Sequence, residues 1–178
     1  MMLQQTPLLT PSRLAQAKKS ADQMSVKEQE AVFDEIHNEQ PNLLNSILAI
    51  HKDFGTGLDQ VGILLQLLLE TWLAMKSTKQ TWPLITEQMM IDSLERLIAK
   101  MAFVQNLSGD LFKQATTQHV NMHPEPYLLA RLQIDIEEQG WLPIKDDLHQ
   151  RVLLTGQNLV ECVGDASSKV QQNVRSVR

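Results

Sequence analysis

Cysteine is nearly absent: Cys162 is the only one in the chain, so no internal disulfide can form and a reducing, cytoplasmic setting is expected. Aromatic residues are scarce too, and Trp72, Trp82 and Trp141 are not interleaved with basic residues as a base-stacking surface requires. Positive charge is in deficit. A formal charge of −5 with scattered Lys and Arg leaves no footprint for a phosphate backbone, so nucleic acid is not an expected partner. The start, MMLQQTPLLTPSR, lacks the basic beginning and the long apolar core of a signal peptide. No alternation of β-branched residues lasts long enough to mark a strand. A phosphate-binding glycine loop, a nucleophile elbow, a kinase signature and zinc spacing are also missing, so the sequence predicts no catalytic residue and no cofactor.

What is present is one very apolar stretch, LDQVGILLQLLLETWLAMKS at residues 58–77. In a helix, Asp59, Gln66, Glu70 and Ser77 fall close to one line, while leucines, Val61, Ile63, Trp72 and Met75 take most of the remaining circumference. A helix apolar over so much of its surface must be enclosed by other elements. Gln66 and Glu70 interrupt the run, which makes it too short and too polar for about 20 membrane-spanning residues, so no membrane is expected.

The rest of the chain supplies the covering helices. Thr10-Pro11 reads as an N-cap followed by a helix to about Ala21, and Ser25 with Glu28 makes a capping box for a helix to about Asn38. Pro41 opens the next, which carries Leu43, Leu44, Ile47, Leu48 and Ile50. A long helix is read from Trp82-Pro83 to about Leu107, with Asp92 and Arg96 paired on its outer face. Ser108 is the expected N-cap of a weaker helix that His123-Pro124 ends. The segment from Pro124 to Gln139 turns Leu128, Leu129, Leu132 and Ile136 inward, pairs Arg131 with Asp135 outside and stops at Gly140. The last helix starts near Asp146 and Asp147, where negative charge suits a helix N-terminus, and ends near Gly164. The predicted fold is therefore all-α, a bundle of about six to eight mostly antiparallel helices around residues 58–77. Residues 1–22 read as an N-terminal arm with a short helix, 23–164 as the bundle, and 165–178 as a polar tail that is disordered or docks as a helix.

Candidate site residues are few. Asp34 with His37, and Asp146 with His149, have the carboxylate-x-x-His spacing of helical metal bundles, and Glu70 is the carboxylate that would join them. Against this stand the aspartates, where such motifs use glutamate, and the helix-start role of Asp146. His119 and His123 lie four apart without an intervening glutamate, which reads as two solvated or capping histidines. Cys162 has no nearby base and reads as a small buried hydrophobe, and Met89, Met90 and Met101 as core filling. The Gln66 and Glu70 stripe reads first as a wet edge and second as a pocket or a register-setting contact between subunits. On that second reading the interface residues are Gly62, Gln66, Glu70, Trp72 and Ala74, with Val170, Val174 and Val177 in the tail. The expected function is a non-enzymatic interaction or regulatory protein whose partner is a protein or a second copy, as a dimer. The other class considered is a small-molecule or metal-binding bundle.

Overall fold

The computed structural model describes residues 6–55, 61–138, 140 and 146–176. Among these residues all regular structure is helical and there are no strands. Its helices are α1 (Pro11–Gln23), α2 (Val26–Glu39), α3 (Pro41–Phe54), α4 (Gly62–Ser77), α5 (Glu87–Gln105), α6 (Asp110–Met122), α7 (Pro126–Glu138) and α8 (Asp147–Ser176).

Local chemistry explains most of the boundaries. Thr10 Oγ1 accepts the Arg13 amide ahead of Pro11, and Ser25 and Glu28 form the reciprocal capping box. Pro41 opens α3, and Gly55 ends it in the left-handed conformation with φ 60°. Residues 83–86 are not helical where a helix was expected. Gln40 explains the difference: its Nε2 donates to the Pro83 carbonyl and its Oε1 accepts the Ile85 amide, both at 2.9 Å, so α5 begins only after the Thr86 cap. The cap of α6 is Gly109 at φ 57° and not Ser108. Asp146 Oδ1 accepts the His149 amide at 2.8 Å and so caps α8.

Packing places α4 in the middle. Helix α1 lies against it most extensively, and α2, α3, α7 and α8 complete the enclosure. Leu64, Leu67, Leu68 and Met75 of α4 share the core with Leu43 and Ile47 of α3, Leu128 and Leu132 of α7, and Leu159 and Val163 of α8. Each large apolar side chain so buried contributes roughly 1.5–3 kcal/mol before chain entropy is subtracted. No described helix is long and apolar enough to cross a membrane.

Two parts of the expected organisation change. The N-terminal helix is not a separate arm, because Leu14, Ala17 and Ala21 are buried as α1 packs on α4. The polar tail does not begin a new unit after Gly164. Helix α8 runs through that position to Ser176, burying Ala166, Ser167, Val170 and Gln171 against its own chain.

Candidate functional site

Within the Gln66 and Glu70 stripe, Gln66 is half-buried and Glu70 turns into its own chain. Glu70 is 2% exposed, and Arg131 of α7 meets it with Nε at 3.0 Å and Nη2 at 3.4 Å. Gln66 Nε2 donates to the same carboxylate at 2.9 Å, and Arg131 Nη1 lies 2.6 Å from Asp135. The Arg131–Asp135 pair thus exists but points inward. Burial pushes the Asp135 carboxyl up to about 6, against the pull of Arg131, while Glu70 adds negative charge nearby. Ser77 is exposed, and Asp59 lies outside the described residues.

The metal set does not assemble. Asp34 and His37 are exposed on α2, Glu70 is committed to Arg131, and Asp146 and His149 pair with one another at the start of α8. Among the described residues no group of three or more His, Cys, Asp or Glu side chains could hold a metal ion. The interface candidates also divide. Trp72, Ala74 and Val170 are buried within the chain alongside Glu70, Gly62 is half-buried, Val174 is 41% exposed, and Val177 falls outside the described residues. Cys162 is buried, and burial pushes its thiol up to about 11, which keeps it protonated and unreactive.

A second polar cluster forms where α6 ends, and sequence reasoning missed its main member. Glu125 is fully buried and accepts the backbone amides of Leu8 and Leu9 at 2.9 Å each, together with the Ser167 hydroxyl. His123 is buried as well, not solvated, and its Nδ1 accepts the Glu125 amide at 3.0 Å. That bond leaves the proton of the neutral ring on Nε2, so the Nε2 lone pair that a shared metal would need is occupied. Glu161 of α8 lies 3.2 Å from His119, 3.6 Å from Lys100 and 3.9 Å from His123. Burial opposes ionisation of Glu161, but the His119 hydrogen bond and the cation of Lys100 outweigh it and hold its carboxyl below the usual range. Gly164 gives the histidine its space: a Cβ there would sit 2.9 Å from His123 Cε1.

An open concave surface lies elsewhere, in a groove of about 1010 Å³ between α3, α5 and α8. Helix α3 contributes Asn42, Asn45, Ser46 and Ala49, α5 contributes Met90, Ile91, Leu94 and Ile98, and α8 contributes Arg151, Leu154 and Asn158. Ile91 and Ile98 remain 44% and 49% exposed. Asn158 Nδ2 donates to the Met90 carbonyl at 3.0 Å, tying α8 to the start of α5, and Arg151 stacks on Phe54 with 5.5 Å to the ring centroid. Of these side chains only Met90 had been weighed from sequence as lining a groove, and core filling was the preferred reading for it. Ile91 was the available signal, since it is a large apolar residue off the Met90 and Leu97 line that is buried.

No protein-family model, no curated protein and no solved structure matches the chain.

Proposed function

We propose that this chain is a non-enzymatic interaction protein that self-associates through the groove between α3, α5 and α8. The observation that supports this reading is that the apolar face of α5 is wider than its own chain covers. Ser93 and Leu97 are buried and Met90 is buried at the groove floor, whereas Ile91, Leu94 and Ile98 line the groove, with Ile91 and Ile98 nearly half exposed. Their three- and four-residue spacing, with isoleucine alternating with leucine, is that of a helix-pairing seam, and a seam of this kind pairs well with a copy of itself. The surrounding wall of Asn45, Ser46 and Ala49 is small and amide-bearing, which suits close approach of a second helix. A cytoplasmic setting belongs to the same proposal and rests on the single, buried Cys162.

Light scattering at tens of micromolar tests it. A dimer for the natural chain and a monomer of unchanged helicity for the I91K/I98K double variant is the expected result. A natural chain that stays monomeric, or a double variant that still dimerises, removes the proposal.

A further inference from the structure

The turn His123-Pro124-Glu125 joins α6 to α7 and places two buried ionisable side chains between the N-terminal segment and α8. Pro124 cannot continue α6, so His123 caps that helix in an extended conformation, φ −66° and ψ 134°. Glu125 reaches the amides of Leu8 and Leu9, just ahead of α1. Other ties hold the same segment: Gln171 Nε2 donates to the Thr6 carbonyl at 3.1 Å, and Arg13 Nη1 to the Leu8 carbonyl at 3.0 Å.

We propose that this turn is an acid-released latch: protonation of His123 at Nδ1 expels the Glu125 amide, opens the turn and frees residues 6–10 together with the first turn of α1. The argument rests on which ring nitrogen is free to take a proton. Nε2 carries the proton of the neutral ring, so the added one must go to Nδ1, where the Glu125 N–H already points. Two donors then face each other at a buried ring, where neither can turn to bulk solvent. Displacing Glu125 removes both acceptors from Leu8 and Leu9 at once.

The groups around His123 set the direction of its titration. Glu161 of α8 lies 3.9 Å from Nε2 and favours the cation, His119 of α6 stands edge-on with ring centroids 5.9 Å apart, Lys100 of α5 is engaged with Glu161, and Glu125 follows in the chain. Burial is the largest influence and holds the imidazole below its ordinary value, although Glu161 and the Glu125 amide pull the other way. A depressed histidine stabilises the fold fully above its unfolded value of about 6.5, and that stability is lost as pH falls from there towards the folded value. Burial pushes the Glu125 carboxyl upward, so its contribution has the opposite sign and diminishes as pH rises.

Amide hydrogen exchange on the full chain, read residue by residue between pH about 7.5 and about 5, tests the latch. Protection factors at Leu8 and Leu9 should fall about ten- to hundred-fold, as for one or two lost buried hydrogen bonds, while those in the middle of α8 hold. In His123→Asn the side-chain oxygen can accept the Glu125 amide without titrating, and protection should stay level. An equal fall in the variant, or no fall in the natural chain, overturns the proposal. Imidazole nitrogen shifts in the natural chain give a check that needs no variant. A proton on Nδ1 at neutral pH, or a His123 midpoint out of step with the two amides, overturns it as well.

Discussion

Arg131 on α7 holds the buried carboxylate of Glu70 on α4 through two of its nitrogens while a third meets Asp135. One guanidinium therefore joins two carboxylates, and the most apolar helix in the chain is fixed to α7 by charge. Removing the cation strands Glu70, with Gln66 as its remaining partner. Arg131→Met should lower stability in urea unfolding by about 3 kcal/mol. The double variant Glu70→Met with Arg131→Met should recover part of that loss, because no uncompensated charge is left on α4. Losses that simply add would contradict this account of the pair.

The pH dependence of Asp135 has a definite sign. Below the ordinary aspartate value of 3.8 it is protonated in both the folded and the unfolded chain; between there and about 6 only the folded chain keeps the proton. The native state therefore loses stability as pH rises through that window. Asp135→Asn should flatten that part of the stability profile in urea melts taken from pH about 4 to about 7. A profile in the variant as steep as in the natural chain would assign the slope to other groups.

Gly164 and Gly156 both lie within α8, yet alanine should act differently at each. At Gly164 the new Cβ would sit 2.9 Å from a buried ring held by the Glu125 amide, so Gly164→Ala should destabilise by about 1–3 kcal/mol despite a better helix propensity. At Gly156 the nearest atoms are the tips of Leu64 and Leu132, at 3.0 and 3.1 Å, which can shift by a few tenths of an ångström. Thermal midpoints of the two variants should therefore separate, with Gly164→Ala the lower.

Cys162 should be silent to thiol reagents in the native state. It is 1% exposed and its thiol is pushed up to about 11. Reaction with an aromatic disulfide should be slow until urea unfolds the chain, and its rate should follow the unfolding curve. Rapid labelling in native buffer would show that α8 opens locally at this position.

Helix identity was legible because it is written in nearby residues. Thr10-Pro11, the Ser25 and Glu28 box, Pro41 and Gly140 all act on the next few positions, and the all-helical fold follows from them with the apolar stripes. Side-chain pairing across helices was not legible. Asp92 and Arg96 have ideal spacing for each other, yet Arg96 pairs with Asp165 at 2.6 Å and Asp92 accepts from Gln88. The inward turn of Glu70 depended on Arg131, 61 positions away, and the role of Glu125 on amides 116 and 117 positions away. A lone glutamate after a His-Pro pair carries no local sign of such partners. The end of α8 was misplaced for a related reason: Gly164 looks like a stop, but its missing side chain serves the neighbouring His123.

The bond from Gln171 to the Thr6 carbonyl joins residues 165 positions apart. During synthesis Thr6, Leu8 and Leu9 emerge long before Ser167 and Gln171 exist. Residues 6–9 must then wait, with the apolar surface they help to cover still open, until α8 has left the ribosome. Closure of this contact is thus a long-range event, and the interval before it is when the growing chain is exposed to misassembly.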